Sequence, residues 1–174
     1  MDEKVEIAFN EQINAELYSA YLYLSMSAWF TSIGLKGIAA WERIQAQEER
    51  DHAMILYDYV LSAGGKITTT SIKAPRTEWE SPKEAFEFQL AHEKQVTASI
   101  HNIMEIAQSA KDYASIARLQ WFITEQIEEE QNVRDILDQI ALIADSPTYL
   151  YMLDKELGTR TYTPATGQCA SFEG

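Results

Sequence analysis

Glu49 and His52 stand three residues apart in the stretch Gln45 to His52 (QAQEERDH), inside an apolar pattern of helical period. Residues at i and i+3 share one face of an α-helix, so a carboxylate and an imidazole so placed can hold one cation. Alone the pair says little. A chain with 27 acidic residues and 3 histidines produces such spacings by chance, and the case rests on what the neighbouring segments bring to the same place.

Three other long segments carry the same kind of seam. From Glu3 to Ser32 the inward positions step by four and three through Phe9, Ile13, Glu16, Ala20, Tyr23, Ser27 and Phe30. Leu35 to Ala63 continues with Gln45, Glu49, His52, Leu56, Tyr59 and Ala63, and Gly64 supplies its stop. A third helix opens at Ser81, an N-cap followed by Pro82 and Glu84, with a seam through Phe86, Leu90, Glu93, Thr97, Ile100, Met104 and Ala107. The fourth, about Tyr113 to Ala144, runs through Leu119, Phe122, Gln126, Glu129, Val133, Ile136, Ile140 and Ile143. Thr148 to Leu157 predicts a short fifth helix, and no segment alternates as a strand would.

The fold class that follows is all-α, a four-helix bundle. Short turns near Gly34 and Lys111 make two antiparallel hairpins. The stretch Gly65 to Glu80 reaches roughly 50 Å when extended, at about 3.3 Å per residue, against roughly 45 Å for a 30-residue helix at about 1.5 Å per residue. It is therefore read as a bundle-length crossover. Residues 1–158 are expected to form the bundle domain and residues 159–174 an irregular C-terminal tail.

Each seam carries a glutamate near its middle: Glu16, Glu49, Glu93 and Glu129. Folding about the two turns sets position 16 level with about 52 and position 93 level with about 129, each pair roughly 27 Å from its turn at about 1.5 Å per residue. Carboxylates forced together in a low-dielectric core must protonate, separate or receive a cation, and no Lys or Arg lies on the seams. Two divalent cations balance four carboxylates, and carboxylates with one imidazole suit iron or manganese better than a closed zinc site. By position, Glu49 and Glu129 are the best bridging candidates.

Composition narrows the partners. The formal charge of -13 argues against nucleic-acid binding and favours cations. Cys169 is the single cysteine, so no internal disulfide or cysteine-based zinc site can form, and it receives no role. Met1 to Asn10 has no secretory signature and no run is long and apolar enough for a membrane span, so a cytoplasmic protein without membrane association is expected.

The stretches NAELYSAYLYLSM (Asn14 to Met26), AQEERDH (Ala46 to His52), HEK (His92 to Lys94), LQWFITEQIEEE (Leu119 to Glu130) and LDKEL (Leu153 to Leu157) resemble the non-haem ferritins of prokaryotic type, in order and at that family's spacing. The resemblance implies a ferritin-like bundle, iron storage, and a ferroxidase centre holding two irons. Glu16 and His52 would hold the first iron, Glu49 would bridge, Glu93 and Glu129 would hold the second, and Gln126 would lie beside the oxygen-binding position. It further implies Fe(II) and dioxygen or peroxide as reactants and a homo-oligomeric cage of 24 subunits. Haem is not expected. Where bacterioferritins carry Glu-x-x-His on the fourth helix this chain has Gln126 to Glu129, and Arg50 stands where their haem-binding methionine would follow the bridging glutamate. Rubrerythrin-like peroxidases are excluded by the lack of Cys-x-x-Cys pairs.

Further residues follow from the same resemblance. Glu48, Glu125 and Glu128, one position off the seams, match a third iron site, and Tyr23 matches a tyrosine beside the centre whose phenol would hydrogen-bond a bridging carboxylate. Trp121 reads as packing, and His92 and His101 as surface residues. Two other classes remain open on sequence: a catalytically silent cage, and a discrete di-iron oxygenase or peroxidase.

Overall fold

In the computed structural model, which describes residues 1–143 and 146–167, five helices account for the described secondary structure. They are α1 (Glu3–Ser32), α2 (Lys36–Ser62), α3 (Pro82–Ser109), α4 (Tyr113–Ile143) and α5 (Pro147–Leu157). Their starts follow the expected chemistry. The Asp2 carboxylate accepts from Lys4 N at 2.9 Å to cap α1, and the Ser81 hydroxyl accepts from Glu84 N at 3.1 Å to cap α3. Glu84 in turn accepts from Glu80 N.

Helix α2 has no side-chain cap of its own at Leu35. The cap comes from far along the chain: Asp154 on α5 accepts from Ile38 N at 2.9 Å. A β-carbon on Gly37 would lie 1.7 Å from the Asp154 carbonyl oxygen, so the glycine is what lets α5 close on the start of α2.

The topology is two hairpins joined by a crossover. The segment between Gly64 and Ser81 tracks α1 in the same direction. Lys66 N donates to Glu6, Thr68 N to Asn10 Oδ1 at 2.7 Å, Asn14 Nδ2 to Ser71 O at 3.3 Å, and Ser25 Oγ to Arg76 O at 2.7 Å. From Glu6 to Ser25 is roughly 28 Å of helix at about 1.5 Å per residue, so the connection spans most of the bundle. It delivers α3 antiparallel to α1, with Gln12 facing Ser99, Ser19 facing His92 and Phe30 facing Phe86.

Apolar side chains form two plugs. One gathers Val5, Phe9, Ile13, Leu56, Ile100 and Phe122; the other gathers Leu22, Met26, Phe30, Ile38, Phe86 and Val133. Full burial of each large side chain contributes about 1.5–3 kcal/mol, and together they bracket a layer of buried polar groups at mid-bundle. No described helix is long and apolar enough to cross a membrane. Cys169 lies outside the described residues.

Because the α2 cap is borrowed, Asp154→Ala is expected to lower stability by about 1 kcal/mol, and Asp154→Asn, which keeps an acceptor, to restore most of it. Chemical denaturation reads both; equal midpoints for wild type and Asp154→Ala would contradict the assignment.

Candidate metal centre

The mid-bundle layer takes one or two turns from each long helix. Glu16, Glu49, His52, Glu93, Gln126 and Glu129 are all buried, and the four carboxylates arrive with His52 at one height. Ligand atoms of Glu16, Glu49 and His52 lie within 4.8 Å of one another, as do those of Glu49, Glu93 and Glu129. Glu49 belongs to both sets. A third set joins His52, Glu125 and Glu129.

Neighbouring side chains fix how these groups point. Gln12 donates to Glu16 Oε1 at 2.9 Å, Gln45 to Glu129 Oε2 at 2.7 Å, and Gln126 to Glu93 Oε2 at 3.2 Å. The Tyr23 phenol donates to Glu93 Oε1. Expected to serve a bridging carboxylate, it instead holds Glu93, because Tyr23 faces α3 across the α1–α3 contact. The His52 ring is wedged edge-on between Trp121 and Phe122, with centroids 5.5 and 6.0 Å away, so Trp121 packs against a candidate ligand. His52 Nδ1 lies 3.6 Å from Glu49 and Nε2 3.7 Å from Glu125, distances of ion pairing rather than hydrogen bonding.

Buried polar atoms normally find partners. Here Glu16 Oε2, Glu49 Oε1 and His52 Nε2 have none in the protein. Three unpaired donors of the types that bind iron or manganese, on adjoining helices, are the arrangement a cation completes.

The charges confirm the strain. Burial, then the Glu129 carboxylate, pushes Glu93 up to about 8. Burial raises Glu49 and Glu129 as well, with His52 pulling back on both and the Gln45 amide on Glu129. Burial would lower His52, but Glu125, Glu49 and Glu16 outweigh it and raise the imidazole. Burial and Glu93 together raise the Tyr23 phenol.

The residues of the third iron site are not brought together. Glu125 joins His52 and Glu129, whereas Glu48 and Glu128 belong to none of the three ligand sets. Glu128 is exposed. The Glu48 carboxylate is engaged by Arg160, whose Nη2 lies 2.7 Å away and whose Nη1 donates to Gln45 Oε1. The seams lack Lys and Arg, yet the segment after α5 supplies one. Burial still carries Glu48 up to about 7, with Arg160 opposing.

His92 also differs from expectation. It is half-buried, its Nε2 2.8 Å from Ser19 Oγ, its ring edge-on to Tyr18 and Tyr23. Burial, aided by Lys73, lowers it to about 4. His101 is exposed, as expected.

Several members of the layer carried no assignment from sequence. Gln12, four residues before Glu16, and Gln45, four before Glu49, hold carboxylates. Glu42 and Gln89 are fully buried one turn away, with no partner on either side-chain oxygen of Glu42 or on either polar atom of Gln89. Stepping back three from Gln45 finds Glu42, and stepping back four from Glu93 finds Gln89.

Comparison with known proteins places the geometry. The family model for the ferritin-like domain matches residues 7–143. A bacterial non-heme ferritin from Staphylococcus haemolyticus is 40% identical over 155 residues, covering 89% of this chain and 93% of that one. A second, from Bacteroides fragilis, is 38% identical over 160 residues, covering 92% and 99%. An open pore ferritin from the archaeon Archaeoglobus fulgidus superposes with a TM-score of 0.91 at 47% identity, covering 92% of this chain and 99% of that chain. A humanized archaeal ferritin does so with 0.93 at 50% identity, covering 94% and 99%.

A pH dependence follows. Glu48, Glu49, Glu93 and His52 each bind protons more tightly folded than unfolded, so the stability they contribute is present below their unfolded values and lost as pH rises through the folded ones, about 7 for Glu48 and about 8 for Glu93. His92 acts oppositely only below its unfolded value of about 6.5. Between about pH 6.5 and 8 the metal-free protein should therefore lose thermal stability, and the gap between chelator-treated and Zn(II)-loaded protein should widen. Scanning calorimetry measures it; a gap that narrows with rising pH contradicts the charge balance.

Proposed function

The chain belongs to the ferritin family, among the prokaryotic non-haem ferritins, and on that premise we propose that it stores iron and oxidises it at the mid-bundle layer. The observation that carries the reading is the sharing of Glu49 between two buried sets of three ligands. Such a carboxylate holds two cations a few Å apart, as a two-metal site requires.

Fe(II) is the substrate. Glu16 and His52 hold the first ion, Glu93 and Glu129 the second, and Glu49 bridges. Gln126 stands beside the position left for the oxidant, its amide also steadying Glu93. Each iron gives up one electron to dioxygen, which leaves as peroxide, and the ferric product hydrolyses and moves to a mineral. Peroxide in place of dioxygen is the alternative oxidant. Tyr23, bonded to Glu93, fixes that carboxylate. Fixed carboxylates and amides keep the ligand positions in register, so little reorganisation accompanies the change from Fe(II) to Fe(III).

Storage requires a container. Assembly into a 24-subunit cage is supported by the family and by apolar side chains left on the outer helix faces, among them Tyr21, Leu24 and Leu61, each about half exposed. A cytoplasmic store is part of the same reading.

Glu16→Ala or His52→Ala should slow Fe(II) oxidation by about tenfold or more, the loss expected when one ligand of a metal site is removed, with particle mass unchanged. Stopped-flow absorbance after mixing anaerobic protein with Fe(II) and air, with size-exclusion mass as control, reads both. Wild-type rates in the variants would overturn the centre, and the mass of one or two chains would overturn the cage.

A further inference from the structure

Arg160 reaches the edge of the layer from beyond α5 and bonds there to Glu48, as Arg134 bonds to Glu130 from within α4. The Arg160 guanidinium is held on three sides. Nη2 meets Glu48 at 2.7 Å, Nη1 donates to Gln45 Oε1, and the planar group sits 4.9 Å from the centroid of the Trp41 ring. Gln45 passes the contact inward, its Nε2 donating to Glu129 Oε2. One cationic side chain from beyond α5 therefore neutralises Glu48 and, through an amide, fixes an oxygen of Glu129.

The chain that carries Arg160 lies along α2 and α4. Tyr162 donates to Asp51, Ala165 N donates to the same carboxylate at 3.2 Å, and Arg118 on α4 donates to Gly167 O at 2.9 Å. Residues 159–167 thus form a strap with no regular secondary structure, fastened at its start by Arg160. Beside the guanidinium opens a cleft of about 280 Å³ whose lining includes Glu128, Asn132, Asp135 and Gln139. It offers the side chain other acceptors and room to turn.

We propose that Arg160 is an intrinsic cation that occupies the Glu48 edge of the centre in the metal-free protein and leaves it when a divalent cation binds in the layer, so that the docking of residues 159–167 follows metal occupancy. This rests on the reading of the layer as a metal centre. A divalent ion in the His52, Glu125 and Glu129 set cancels the negative charge at Glu129 that helps to hold the guanidinium, and repels it. It therefore drives the guanidinium toward the acidic cleft and, by taking Glu129, releases Gln45 from its orienting contact. Arg160 is a positioning residue: it acts through Gln45 and Glu48, never on the iron.

The test uses the assembled full-length protein and Co(II) without oxygen, with Co(II) absorbance reporting occupancy and hydrogen exchange reporting the strap. On loading, amides of residues 161–167 should exchange faster, while those of the α2 and α4 interiors slow. Arg160→Ala should exchange fast with or without Co(II) and should bind the weakest resolved Co(II) roughly tenfold more tightly, the scale expected for removing a competing charge-assisted pair. Tyr162→Phe, which loosens the strap but keeps the guanidinium, should raise that affinity by less than Arg160→Ala does. If Co(II) binds yet strap exchange is unaltered, or if Arg160→Ala binds Co(II) as wild type does, the proposal is overturned and the centre stands. If no Co(II) binds in the layer, the centre falls and this proposal with it.

Discussion

Mutual repulsion of carboxylates inside a dry helical core is the constraint that the rest of the molecule answers. Like charges a few Å apart interact far more strongly there than in water, and each must protonate, find a donor or await a cation. The two apolar plugs on either side supply the burial energy that keeps this layer from opening. Stability lies in the ends of the bundle and chemistry in its middle.

Amides divide the oxygens of the layer between structure and ligand. Gln12 holds one oxygen of Glu16 and leaves the other unpaired; His52 lies beside one oxygen of Glu49 and leaves the other unpaired. Glu93 is pinned on both sides, by Tyr23 and Gln126. A carboxylate fixed through one oxygen presents the second at a set angle, which is how outer contacts orient ligands. Neutral amides suit the task, because they donate without adding charge that would compete with a metal.

Much of this was legible in the chain. Seams stepping by three and four gave the four long helices, and a rise of about 1.5 Å per residue set Glu16, His52, Glu93 and Glu129 at one height because both turns are short. The Ser81, Pro82 and Glu84 start was readable because capping is local. What escaped was set by tertiary approach. Arg160 meets Glu48 across 112 residues, and Asp154 caps α2 across 116; no periodicity reports such contacts. Glu42 and Gln89 escaped for another reason. Polar residues on a seam look like a change of phase, and Leu90 appeared the better core residue although Gln89 is the buried one. The third iron site was expected from the family resemblance, which does not report that a guanidinium lies against Glu48.

The long connection between Gly64 and Ser81 has a kinetic side. Each hairpin is closed by a short turn and pairs residues near in sequence, so each is able to form early. Neither contains a whole centre: α1 and α2 bring Glu16, Glu49 and His52, while α3 and α4 bring Glu93, Gln126 and Glu129. The electrostatic barrier is therefore met only when the halves come together, after most helical structure exists. A cation present at that moment acts on the docking of half-bundles rather than on their formation.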